Sequence, residues 1–64
     1  MTENQKKIID LANRQGGTVT KREAVLELRG DYFHDPERYI GMVLTRMVNS
    51  GLLVRLKHGV FKIP

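Results

Sequence analysis

Arg38, Met42, Thr45, Arg46 and Asn49 recur at spacings that place all five on one side of a helix. These are side-chain types that can read base edges. Arginine can pair bidentately with guanine and asparagine with adenine, and threonine offers a hydroxyl or a methyl contact. Gly41 and Thr45 are small and would let such a helix approach base edges closely. A second basic group, Lys21 and Arg22, opens another predicted helix. There the side chains and the free N–H groups of the first turn suit a phosphate. A third group, Arg55, Lys57, His58 and Lys62, makes the C-terminal segment basic, and strand alternation puts Arg55 and Lys57 on one face, able to grip a phosphate ridge together. Each group has a plainer reading: a solvated helix face, surface residues placed by a capping box, and a charged edge strand that resists aggregation.

Other chemistry is poorly supplied. Ser50 is the sole serine, at a predicted helix end, with no base arranged beside it. His34 and His58 lack metal-ligand spacing, and there is no cysteine to supply a thiolate. His34-Asp35 reads as a turn and a helix cap. No glycine-rich phosphate loop is present, and 64 residues leave little room for a pocket that excludes water. No enzyme activity, cofactor or metal is expected.

The formal charge is +4 and the pI about 9.9, a balance that suits a polyanionic partner. A chain of this length forms one domain, residues 1–64, and buries only ~60% of its unfolded surface. Met1 is followed by polar residues through Lys7, so no leader is expected, and no apolar run approaches the ~20 residues that span a bilayer. With no cysteine, this fits a protein of a bacterial or phage-like cytosol.

The elements that must position the basic groups follow from periodicity and punctuation. Helix one is predicted from about Glu3 to Gln15, capped by Thr2 with Gln5 and stopped by Gly16-Gly17, with Ile8, Leu11 and Ala12 inward and Ile9 on the flank. Thr18-Val19-Thr20 reads as a short strand. Thr20 with Glu23 caps helix two, Lys21 to Leu28, with Ala24, Val25 and Leu28 inward and Leu26 off that face. Arg29 to Asp35 reads as a connection broken by Gly30, in which Tyr32 or Phe33 plugs the core or stacks on a base. Asp35-Pro36 opens helix three, whose Ile40, Val43, Leu44, Met47 and Val48 form an apolar stripe ending near Asn49-Ser50. Tyr39 falls near Arg46 on the side of this helix, placed to contact a sugar or phosphate or to pack against the loop. Strands are expected at Leu52–Leu56 and Val60–Ile63 around a Lys57-His58-Gly59 turn, where both histidine and glycine suit unusual backbone angles.

The order is therefore α-β-α-α-β-β, an α+β fold with a three-stranded antiparallel sheet. With GGTVT, the two following helices and GLLVRLKHGVFKIP in place, the chain resembles the winged-helix superfamily. Within it, the chain is similar to the amino-terminal domain of AbiEi-type abortive-infection antitoxins, which usually carry tyrosine where Phe61 stands. The Gly30–Asp35 connection is long for that family, and its members continue into a larger second domain. The resemblance implies sequence-specific binding of double-stranded DNA, by a small transcriptional regulator or the DNA-binding module of a larger protein. Helix three would enter the major groove and the hairpin would meet the backbone. A winged helix can also serve as a protein-interaction module, which Met42 in the middle of the helix-three face favours. RNA is the least suited partner, because no aromatic sheet face is expected. One such module offers few base contacts, so pairing is expected, as a homodimer on DNA or beside a partner protein.

Overall fold

The first helix begins where the sequence places it. Thr2 Oγ1 accepts from the Gln5 N–H at 3.2 Å and Gln5 Oε1 accepts from the Thr2 N–H at 3.0 Å, so the capping box closes. The computed structural model describes residues 1–31 and 34–64. Its elements are α1 (Glu3–Arg14), β1 (Thr18–Thr20), α2 (Lys21–Leu28), a 3₁₀ turn (Arg29–Asp31), α3 (Pro36–Asn49), β2 (Val54–Lys57) and β3 (Val60–Lys62). Expectations for Tyr32 and Phe33 fall outside the described residues. Gly30 does not break the chain after α2. The backbone tightens there and runs on as the 3₁₀ turn.

The helices pack on one side of the sheet around Ile8, Leu11, Ala12, Val19, Ala24, Leu28, Ile40, Val43, Leu44, Met47, Leu53 and Phe61. Every inward residue expected on α1 and α3 is buried, except Val48, which is partly buried against the core. On α2 Ala24 and Leu28 are buried and Val25 partly so, while Leu26 is exposed.

The sheet is antiparallel in the order β1-β3-β2, so the last strand lies in the middle. Thr18, Val19 and Thr20 pair with Lys62, Phe61 and Val60. The Gly17 carbonyl also accepts from the Ile63 N–H at 2.8 Å, which carries the pairing past the strand end.

Two details of the hairpin differ from expectation. β2 starts at Val54, not Leu52, because Leu52 closes α3. Gly51, at φ +83, donates to the Val48 carbonyl while the Leu52 N–H bonds the Met47 carbonyl, the paired bonds of a Schellman stop. The turn then takes its left-handed angle at Gly59 alone (φ +76), and His58 keeps a negative φ. A turn with positive φ only at its second residue does not match the strand twist, and an extra residue, Leu56, bulges from β2 to absorb the mismatch. This architecture of three helices and a three-stranded antiparallel sheet is an α+β winged helix.

The cap of α2 gives the fold an acid-sensitive point. The Thr20 backbone N–H bonds Glu23 Oε1 at 2.8 Å, and this bond holds the Glu23 carboxyl below its ordinary 4.5. Burial opposes the shift, while Gln15 and the Thr20 hydroxyl add to it. Folding lowers this pKa, so the stabilisation is complete above the ordinary value and is lost as pH falls through the lowered one. Thermal melts should show Thr20→Ala costing about 1 kcal/mol at neutral pH. Glu23→Gln, which keeps the bond without the charge, should flatten the loss of stability below pH 4.5. An acid limb identical to that of the wild type would remove Glu23 from the account.

Candidate nucleic-acid interface

α3 is started by Asp35, whose Oδ1 accepts from the Arg38 N–H at 3.1 Å, with Pro36 at the first helical position. Burying Ile40, Val43, Leu44 and Met47 turns the opposite side outward. Arg38, Met42, Thr45, Arg46 and Asn49 are all exposed there. Tyr39 does not join them, because its hydroxyl accepts from Asn4 Nδ2 of α1 at 3.3 Å.

The start of α2 differs from the expected anion site. The Lys21 N–H donates to the Gly59 carbonyl in the hairpin turn at 2.9 Å. The Thr20 N–H goes to Glu23, and the Glu23 N–H goes to Thr20 Oγ1 at 3.1 Å. Three first-turn donors are therefore committed within the protein, and the first of them latches the hairpin turn to α2. What remains for an anion is the Arg22 N–H and the side chains. That of Lys21 lies across α3 at Gly41, where an added Cβ would stand 3.3 Å from its Nζ. Gly41 thus makes room for Lys21, not for a base edge.

The bulge also separates two residues expected on one face. Arg55 pairs with Phe61, and Lys57 with Val60. Cross-strand partners share a face and neighbours along a strand alternate, so Arg55 lies on the helix side with Phe61 and Lys57 on the outer side. The Arg55 guanidinium carbon is 5.4 Å from the centre of the Phe61 ring, a cation–π contact. Lys62, paired with Thr18 and Val54, shares the outer face with Lys57.

The structure brings Lys21, Thr45, Arg55 and His58 around one recess of about 170 Å³ between α3 and the hairpin, beside Gly41, Leu44 and Phe61. A wider open cleft of about 600 Å³ joins Lys21, Arg22 and His58 to Arg29, Glu37 and the exposed Leu26. Arg38, Met42, Arg46 and Asn49 line neither. Sequence reasoning overlooked Arg29, although Arg22, Leu26 and Arg29 recur at i, i+4 and i+7 on one helical face.

Charge is divided along the chain. All seven acidic residues lie at or before Glu37, whereas Arg38, Arg46, Arg55, Lys57 and Lys62 follow with no acid among them. The exposed ion pair Arg14–Glu27, at 3.1 Å, belongs to α1 and α2. Among the described residues no helix is long and apolar enough to cross a membrane, and no group of acidic or histidine side chains could hold a metal.

The model of the family described as "Transcriptional regulator, AbiEi antitoxin" matches residues 6–64. No curated protein and no solved structure matches the chain. With nearly the whole winged helix inside that match, the chain belongs to the AbiEi antitoxin family of transcriptional regulators, a family of regulators and not a class of enzymes.

Proposed function

We propose that the protein binds double-stranded DNA sequence-specifically, with α3 in the major groove and the hairpin against the backbone. The observation that carries this reading is the acid-free run of sequence from Arg38 to Pro64, which supplies both the open α3 face and the hairpin. A basic surface of this kind attracts phosphates regardless of sequence, and base-edge contacts from a helix add specificity. Arg38, Thr45, Arg46 and Asn49 are the base-reading candidates, with Met42 in apolar contact. Lys21, Arg22, Arg55 and His58 meet phosphates on the helix side of the hairpin, and Lys57 and Lys62 on its outer side. In this role the protein works in the cytosol. It acts in pairs, as a homodimer on an inverted repeat or beside a partner protein, with half-sites about one helical turn apart.

Fluorescence titration against a selected duplex and a scrambled one tests the assignment. Arg46→Ala or Asn49→Ala should cost ~1–3 kcal/mol on the selected site and relax its sequence preference. Lys57→Ala should weaken both duplexes about equally. If the hairpin change altered preference and the α3 changes did not, the docking orientation would be wrong. Met42, 48% exposed in the middle of the α3 face, favours a second reading in which that face docks a partner protein. Unchanged DNA affinity in Arg46→Ala, with loss of a co-purifying protein, would favour it.

A further inference from the structure

We propose that the recess between α3 and the hairpin is a phosphate seat, in which Lys21 and Arg55 converge on a single anion and Gly41 and Phe61 act as positioning residues. The physiological ligand, one phosphodiester of duplex DNA, rests on the DNA-binding reading above. The seat itself does not.

Four observations carry it. Lys21 and Arg55 come from elements far apart in the sequence, yet both line the same recess. No carboxylate lines that recess, so nothing in its wall neutralises the two charges. An anion in the recess meets both cations with no competing carboxylate. Each cation is also aimed by a neighbour: the Lys21 side chain crosses α3 where Gly41 has no Cβ, and the Arg55 guanidinium lies over the Phe61 ring. Finally, the volume of about 170 Å³ exceeds several times the ~30 Å³ share of one water, so a phosphate group fits with solvent beside it. Arginine contributes a planar fork and lysine a point charge, a complementary pair for phosphate oxygens. The Thr45 hydroxyl and the His58 ring line the same space and can add donors. Leu44 and Phe61 exclude water from its apolar side, which strengthens the attraction.

Two arms test the seat. In the first, the full chain is titrated with inorganic phosphate, with chloride at matched ionic strength as control, while backbone amide resonances are followed by NMR. Phosphate should move Lys21, Thr45, Arg55 and His58 selectively, and the double variant Lys21→Gln/Arg55→Gln should lose the response. In the second, a duplex is prepared with each phosphodiester in turn replaced by a neutral methylphosphonate. One position should cost the wild type about tenfold in affinity and the double variant less than twofold. Gly41→Ala gives a readout that a merely structural role would not move. Alanine favours the helix, so the melting temperature should hold or rise, while the displaced Lys21 weakens binding about threefold at that one position. Phe61→Leu should weaken the same position and no other, provided its circular dichroism is native.

If phosphate moves the recess but the protein binds no duplex, the seat stands with a free phosphate as its source and the DNA reading falls. Duplex binding without a selective phosphate response and without a coupled position overturns the seat and leaves the DNA reading intact. Phosphate response with duplex binding but no coupled position overturns the phosphodiester assignment.

Discussion

Ile40→Ala should unfold most of the protein at physiological temperature and abolish DNA binding with it. Ile40 is fully buried in α3, on the stripe that also buries Val43, Leu44 and Met47. Truncating a buried isoleucine to alanine costs about 2–5 kcal/mol, because the lost transfer energy is joined by a cavity the surroundings fill only in part. A core in a chain of this size rarely supplies more than ~3–5 kcal/mol in total, and no disulfide is present to add to it. The two figures are comparable, so one substitution consumes most of the margin. Ile40→Val, which removes a single methyl, should cost only ~0.5–1.5 kcal/mol and leave a folded, binding-competent protein. Urea titrations of the pair measure both values. A wild-type midpoint for Ile40→Ala would mean that Ile40 does not anchor α3 in the core.

α3 was also the most legible element in the sequence, for the same physical reason. Its apolar stripe and its Asp35-Pro36 start are local signals, and both capping boxes, Thr2 with Gln5 and Thr20 with Glu23, form as their spacing implies. What escaped was set by partners distant in the chain or by the geometry of the turn. Leu52 and Leu53 look like the start of a strand, yet both N–H groups bond the Met47 carbonyl and serve the helix end. The Leu56 bulge follows from the twist of the His58-Gly59 turn, which alternation cannot count, and it moved Lys57 off the face that Arg55 shares with Phe61. The first-turn amide of Lys21 was expected to be free because nothing near it in sequence would claim it. Its acceptor, the Gly59 carbonyl, arrives only when the hairpin folds back. The residue types of the site are thus readable, but their grouping is not: the space at Gly41 is crossed by the Lys21 side chain, beside the recess that Lys21, Thr45 and Arg55 line together.

That grouping shapes the salt dependence, the largest effect expected in solution. Raising monovalent salt from about 50 to 200 mM should weaken duplex binding by roughly two to three orders of magnitude. Each phosphate neutralised on B-DNA releases condensed counterions and contributes about −0.9 to the slope of log K against log salt. About five contacts drawn from the basic residues of α2, α3 and the hairpin give a slope near −4 to −5. The pattern among variants is more informative than the total. Arg22 lies on α2 and Lys57 on the outer side of the hairpin, so in the proposed complex they would meet different phosphates, and neutralising both should make the slope shallower by about two units. If Lys21 and Arg55 share one phosphate as proposed, Lys21→Gln/Arg55→Gln should change it by only about one, although two charges are removed in each case. Equal changes from the two double variants would mean that Lys21 and Arg55 contact separate phosphates. A wild-type slope near zero would mean that the basic surface does not meet DNA at all, and the exposed α3 face would then belong to a protein partner.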